Sequence, residues 1–128
     1  MSQTMKAAVL HAAGEPLRIE QVPIPQPGPG QVLIRVVACG VCHSDLHAID
    51  GDWSALPRLP LIPGHEVTGY VAALGPGVSE PAIGTAVGMP WMFSACGTCE
   101  FCQGGMETIC ERRESTGYSQ QGGYAEYM

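Results

Sequence analysis

Four cysteines within fifteen positions constrain this chain more than any other feature of its sequence. Cys96, Cys99 and Cys102 are each separated by two residues, and Cys110 follows after seven more. Two residues between thiolates allow a tight turn to aim both sulfurs inward, and four soft ligands suit one tetrahedral zinc ion. Such a site contributes on the order of 10 kcal/mol to folding. The sequence therefore predicts a structural zinc lobe over residues 94–112 that folds without a large apolar core.

Disulfides and an iron–sulfur cluster are the alternatives to zinc at these cysteines. The first eleven residues contain one lysine and only the short apolar run Ala7–Leu10, which is neither a signal peptide nor a membrane span. This predicts a cytoplasmic protein, and a reducing compartment favours metal-bound thiolates over two disulfides or unrelated thiols. An iron–sulfur cluster ranks below zinc because no neighbouring redox-cofactor motif is present.

The length and charge of the chain limit its size and its partners. Its 128 residues suffice for one domain with a core. The formal net charge is -6, which argues against nucleic acid or an anionic membrane as partner, because both attract basic surfaces. For the same reason a zinc-ribbon nucleic-acid binder is a poor interpretation of the four cysteines.

Short runs of apolar and β-branched residues predict a mainly β domain. A proline-rich segment, Pro23–Gly30, interrupts them and lacks several backbone donors, so it is expected to be a surface connection. A weaker pattern over Cys42–Asp50 predicts a short helix, with Ser44 or Asp45 as possible caps. The predicted strands, which suit a barrel or a sandwich, are Ala7–Leu10, Leu17–Val22, Val32–Val37, Glu66–Leu74, Thr85–Met89 and Tyr124–Met128.

A second group of potential metal ligands lies on either side of a long, proline-containing loop. Cys42 and His43 precede the loop, and His65 and Glu66 follow it. A catalytic zinc keeps one coordination position open, and its ligands commonly come from distant parts of the chain. Cys42 and His65 are therefore candidate ligands, and such a site requires a third. Cys39 forms a Cys-x-x-Cys pair with Cys42, but no thioredoxin-like pattern surrounds it, so we expect a buried strand thiol.

These motifs occur together in one order: GVCHSDLH, GHE, PW, the cysteine cluster and TGYSQQGGYAEY. In this the chain, from about Met5 to Met128, resembles the amino-terminal catalytic domain of the zinc-dependent medium-chain alcohol dehydrogenases. The resemblance implies that residues 1–128 form a GroES-like, partly open β-barrel with short helices and a four-cysteine zinc lobe. It is closest to bacterial and yeast-like enzymes that act on small primary alcohols.

The resemblance also implies roles for the second group of residues. Cys42 and His65 would be ligands of a catalytic zinc, with Glu66 beside the metal as a neighbouring or exchangeable ligand. Asp45 would orient His65 through its other ring nitrogen. The simpler interpretation of Asp45 is a helix cap.

Five further side chains receive roles in the same way. Ser44 would accept the proton of the substrate hydroxyl, and His47 would pass it towards solvent. Trp53 and Trp91 would line a narrow alcohol pocket, and His43 would lie near the pyrophosphate of the cofactor. The alternatives are a capping residue, solvated surface histidines and core tryptophans.

The implied activity is oxidation of a small primary alcohol to an aldehyde, with hydride transfer to NAD, in an enzyme that is a homo-oligomer at full length. The sequence contains neither a Gly-x-Gly-x-x-Gly dinucleotide-binding motif nor the family's third catalytic zinc ligand. We therefore expect the Rossmann domain to be absent from this chain, and the chain to be the amino-terminal part of a longer enzyme, inactive by itself. The competing hypothesis is a stand-alone zinc-stabilised β module that binds a partner protein.

Overall fold

Strands dominate the computed structural model, which describes residues 3–53, 55 and 57–128. The strands of this described part are β1 (Thr4–Val9), β2 (Arg18–Pro23), β3 (Val32–Gly40), β4 (Glu66–Leu74), β5 (Ala86–Met89), β6 (Met92–Ser94) and β7 (Glu114–Ser115). The helices are α1 (His43–Asp50), α2 (Glu100–Gln103) and a 3₁₀ turn, Glu107–Ile109. The prediction of a mainly β domain with short helices is confirmed.

The first two strands form an antiparallel pair that covers the main core. Alternate residues of β1, namely Met5, Ala7 and Val9, are buried, as expected for a strand with one face towards a core. They pack with Ile62, which lies in the loop before β4. The core therefore anchors this loop at Ile62, three residues before His65.

The second sheet has the order β3-β4-β5 and is antiparallel throughout. Val67 and Val71 of β4 are buried, while Thr68 and Tyr70 face outward. Two register shifts in β3, at Leu33/Ile34 and at Val36/Ala38, bend the strand. The register brings Gly40, at the end of β3, opposite Glu66, at the start of β4.

The final segment does not form the continuous strand predicted for Tyr124–Met128. It makes isolated bridges instead, Ala7 to Ala125 and Arg35 to Tyr127. Because it bonds to β1 on one side and to β3 on the other, it joins the two sheets without closing them into a complete barrel. The expectation of a partly open barrel is confirmed in this form.

Helix α1 follows β3 directly and starts one residue later than predicted. Cys42, in extended conformation, is its N-cap, and Gly51 ends it at φ 78°, a conformation that favours glycine. The cysteine lobe lies between β6 and β7, which pair with each other.

Within the described part of the chain, no helix has the length and apolar character needed to cross a membrane.

Candidate metal centres

The four cysteines of the predicted zinc lobe converge on one point. Their sulfur atoms all lie within 4.8 Å of one another, and Sγ of Cys102 is 3.5 Å from that of Cys99 and 3.8 Å from that of Cys96. Four sulfurs bound tetrahedrally at about 2.3 Å from zinc are about 3.8 Å apart. The cluster therefore fits a zinc ion in both ligand type and spacing.

Backbone N–H groups stabilise the thiolate form of two cysteines in this cluster. The backbone N–H groups of Thr98 and Cys99 donate towards Sγ of Cys96 and lower the pKa of that thiol to about 5. Burial and the neighbouring Cys99 thiol instead raise the pKa of Cys102 to about 12. The pKa of Cys110 is lowered, chiefly by the backbone N–H of Cys96. Without a metal, these thiols therefore differ in how readily they lose a proton. A divalent cation deprotonates the thiols that coordinate it, so metal binding would make all four cysteines thiolates.

Polar contacts rather than apolar packing hold the rest of the lobe. Gln103 donates from Nε2 to the carbonyl oxygen of Gly97 at 2.7 Å, and Gly97 has a φ of 72°, which a turn of this kind requires. Arg112 donates to Oγ1 of Thr98 at 3.1 Å. No helical residue of the lobe is buried. The folding of the lobe accordingly depends on a link between its four sulfur atoms.

The second group of predicted ligands also comes together. Three ligand atoms, one each from Cys42, His65 and Glu66, all lie within 4.8 Å of one another. Cys42 caps α1, whereas His65 directly precedes β4 and Glu66 begins it. His65 is buried and Glu66 is exposed. A thiolate, an imidazole and a carboxylate on one open side of the protein are a suitable donor set for a catalytic zinc.

Asp45 lies behind this group and is almost fully buried, with 2% of its surface exposed. Its Oδ1 is 3.1 Å from Nδ1 of His65 and accepts the backbone N–H of Gly64 at 3.1 Å. Its Oδ2 accepts the backbone N–H of Cys42 at 2.9 Å. Because Nδ1 of His65 faces a carboxylate, its proton is assigned there, and Nε2 is left free for a metal. The same carboxylate caps the helix and fixes the histidine, so the two interpretations of Asp45 are compatible.

The remaining predicted residues of α1 lie along its accessible side. His47 is partly buried, and its Nδ1 is 2.8 Å from Oδ2 of Asp52. His43 is exposed, and its ring centroid lies 4.8 Å from that of His47. Ser44 is partly buried.

Aromatic rings form a wall beside the second group. The ring of Trp91 lies 4.8 Å from that of His65, nearly perpendicular to it. Trp53 is 6.0 Å from Trp91 and continues the wall to His47, at 5.8 Å. Tyr118 packs on both tryptophans, at 5.1 and 6.2 Å. The structure thus brings together both predicted pocket residues and one that the sequence did not indicate.

Sequence reasoning missed two further residues that shape the site. Tyr124 donates its hydroxyl hydrogen to Oδ2 of Asp45 at 2.9 Å, and Gly40 gives the carboxylate of Glu66 its space. Both lie within motifs of the sequence, which predicts Tyr124 only as a strand residue and assigns Gly40 no role. Cys39 lies in β3 as expected, although it is partly rather than fully buried; burial raises the pKa of its thiol.

A larger cavity, of about 730 Å³, lies elsewhere and is lined mainly by apolar residues of β1, β2, β3 and the proline-rich segment. It contains none of the predicted site residues. The depression beside His65, Glu66 and Trp91 measures about 390 Å³ and is open to solvent. Two of the three residues of the second group, His65 and Glu66, line this smaller depression.

Comparison with known proteins agrees with this geometry. Residues 28–128 match the family described as the alcohol dehydrogenase GroES-like domain. The chain is 54% identical over 123 residues to an alcohol dehydrogenase of Geobacillus stearothermophilus, covering 96% of this chain and 36% of that protein. It is 56% identical over 124 residues to an alcohol dehydrogenase of Rhizobium meliloti, covering 97% and 36%.

Solved structures give the same result. The chain superimposes with a TM-score of 0.90 on a cobalt- and zinc-bound thermostable alcohol dehydrogenase from Pyrobaculum aerophilum, at 39% identity, covering 98% of this chain and 39% of that one. The chain thus spans little more than a third of the length of the proteins that it matches.

Proposed function

Because this chain belongs to the alcohol dehydrogenase GroES-like domain family, we propose that residues 1–128 are the zinc-binding catalytic domain of an NAD-dependent alcohol dehydrogenase. The reaction is oxidation of a small primary alcohol to its aldehyde. The observation that carries the proposal is the convergence of Cys42, His65 and Glu66 within 4.8 Å beside a wall of tryptophans. A purely structural domain has no need for a thiol, an imidazole and a carboxylate on an open face.

Two groups of residues would hold zinc. Cys96, Cys99, Cys102 and Cys110 form a complete set of four ligands for a structural ion. Cys42 and His65 would hold a catalytic one, with Glu66 as a neighbouring or exchangeable ligand. When bound, zinc supplies Lewis-acid polarisation of the alcohol oxygen and NAD accepts the hydride.

The residues of α1 would remove the hydroxyl proton. Ser44 stands two positions after Cys42 and would accept that proton, and His47, one helical turn further, would pass it outward. Asp52 lies 2.8 Å from Nδ1 of His47 and would orient its ring, leaving Nε2 for the transfer. His43, exposed at the start of the helix, would meet the cofactor pyrophosphate.

Trp53 and Trp91 would select the substrate by size. Their rings stand edge to face, with centroids 6.0 Å apart, and Tyr118 supports both. Large flat side chains held by mutual packing leave a narrow slot. Such a slot favours short alcohols.

The activity needs parts that residues 1–128 do not contain. We propose that the third protein ligand of the catalytic zinc and the dinucleotide-binding unit come from further chain, so that residues 1–128 alone are inactive. Free cysteines that converge on a possible metal site, rather than forming disulfides, support a cytoplasmic location. We also propose a homo-oligomer for the full-length form.

The test uses the protein expressed with the coding sequence that continues past Met128. It compares the substitution of two cysteines that lie three positions apart. Cys42→Ser should abolish ethanol-dependent formation of NADH, followed at 340 nm, and remove one of two zinc ions. Cys39→Ser, a matched control outside both ligand groups, should keep turnover and both ions. Full turnover in Cys42→Ser would refute the proposal. A coding sequence that stops at Met128 would favour the stand-alone module that binds a partner protein.

A further inference from the structure

Tyr124 reaches Asp45 from a distant part of the chain. The two residues are 79 positions apart, and the Tyr124 hydroxyl donates to Oδ2 of Asp45 at 2.9 Å. The backbone of Tyr124 is fixed on both sides, since its N–H donates to the carbonyl oxygen of Pro63 and its own carbonyl oxygen accepts the N–H of Ala8. The position of the hydroxyl is therefore set by backbone bonds to β1 and to the loop before β4 rather than by the metal group itself.

The contact completes the hydrogen bonding of a buried carboxylate. Asp45 accepts four hydrogen bonds, two at each oxygen, and those at Oδ2 come from Cys42 and Tyr124. An ionised carboxylate has about four lone-pair positions. Removing one donor leaves a buried charge with an unmet acceptor, which favours a change in its orientation.

The ring of Tyr124 adds a steric constraint beside His65. A Cβ at Gly64 would lie 2.6 Å from Cδ1 of Tyr124 and 2.8 Å from Sγ of Cys39, so Gly64 has no room for a side chain. Gly64 also has a φ of 99°. The ring thus packs on the backbone that immediately precedes His65, while its hydroxyl holds the carboxylate that faces Nδ1 of the same histidine.

We propose that Tyr124 is a positioning residue of the second metal site, which fixes Asp45 and through it the ring of His65. The relation to metal binding rests on the proposed function, whereas the positioning of His65 does not. Tyr127 offers a matched control, because it lies three residues later and packs on the same core, whereas the hydrogen bonds of the Asp45 carboxylate to described residues come from Cys42, Gly64, His65 and Tyr124.

The first test is NMR of the 128-residue chain with zinc in the cysteine lobe only. The Nδ1 proton of His65, donated to a buried carboxylate, should give a low-field resonance that exchanges slowly with water. In Tyr124→Phe this exchange should be about tenfold faster, the factor for one lost hydrogen bond to a charged group. Tyr127→Phe should match the unmodified chain. An unchanged exchange rate in Tyr124→Phe would overturn the inference.

The second test uses the same variants in the protein expressed with the coding sequence that continues past Met128, because the proposed third ligand of this site comes from there. Co²⁺ is added, and the visible absorption of cobalt bound to Cys42 is followed. Tyr124→Phe should bind Co²⁺ about tenfold more weakly than Tyr127→Phe, because disturbing the hydrogen-bond partner of a metal-bound histidine lowers metal affinity. Equal affinity in the two variants would overturn the link to metal binding. If neither they nor the unmodified chain bind Co²⁺, the proposed function fails at this site, and the proton exchange still decides the role of Tyr124.

Discussion

The carboxylate of Glu66 occupies the space that a side chain on Gly40 would need. The two residues face each other across β3 and β4, and a Cβ built on Gly40 would overlap Oε2 of Glu66 and lie 3.1 Å from its Cβ. Gly40 therefore allows the Glu66 side chain to fold over the strand end towards Cys42 and His65. This contact explains the glycine that begins the GVCHSDLH motif.

Gly40→Ala should turn the Glu66 carboxylate away from the second metal group. Because the displaced atoms belong to an exposed, flexible side chain, the free energy of unfolding should fall by less than about 1 kcal/mol. Affinity for Co²⁺ at the second site should fall about tenfold. Gly28→Ala, whose Cβ would likewise meet a side-chain oxygen, Oε1 of Gln31 at 3.1 Å, but outside both metal groups, is the control. Equal affinities for both variants would contradict the expectation.

Removing zinc from the cysteine lobe should unfold it. The lobe contains no buried helical residue, and the loss of such a site costs on the order of 10 kcal/mol, comparable with the whole stability of a domain. Chelation, or Cys110→Ser, should therefore abolish the cooperative thermal transition seen by circular dichroism. Cys39→Ser should retain it. A reduced, metal-free chain with an unchanged transition would exclude a zinc-dependent lobe.

In the full-length protein, Ser44→Ala should slow turnover by about 100-fold or more, the contribution typical of one acid–base group. Both zinc ions should remain bound, since Ser44 is in neither ligand group. Steady-state assays with metal analysis of the same sample measure this. Unchanged turnover would remove Ser44 from the proton relay.

Trp53→Ala should widen the alcohol pocket without touching the ring that packs on His65, which belongs to Trp91. The ratio of kcat/KM for a branched or longer alcohol to that for ethanol should rise by about 10-fold or more, within the range for pocket contacts of methylene size. A substrate series measures the ratio. No change in preference would place Trp53 outside the pocket.

Alkaline pH should destabilise the fold through two tyrosines. Burial raises the pKa of Tyr118, and burial and the Asp45 hydrogen bond raise that of Tyr124. Because the folded pKa values exceed the unfolded value of about 10, the stabilisation is complete below that pH and is lost as pH rises through the folded values. In an absorbance titration at 295 nm, the tyrosinate signal that Tyr118→Phe removes should have its midpoint above the unfolded value of about 10. A midpoint at or below that value would show that Tyr118 ionises normally.

Much of the fold follows from local pattern. The alternation of Met5, Ala7 and Val9 predicts a half-buried strand, and that strand is present. The prediction fails at Tyr124–Met128, where the sequence has strand character but the chain makes only isolated bridges to two neighbours. Whether a short apolar run pairs continuously depends on the partners on each side, which a local pattern does not contain.

The two metal groups also differ in how far the local sequence predicts them. The sequence determined the four-cysteine cluster by itself, because its ligands lie within fifteen positions and their spacing already dictates a turn that brings the sulfurs together. Only the tertiary structure decided the surroundings of His65, since Asp45 and Tyr124 meet across 79 residues. The sequence left Asp45 as either a cap or a partner of His65. Folding allowed both, because Oδ2 accepts the backbone N–H of Cys42 at the start of α1 while Oδ1 faces Nδ1 of His65.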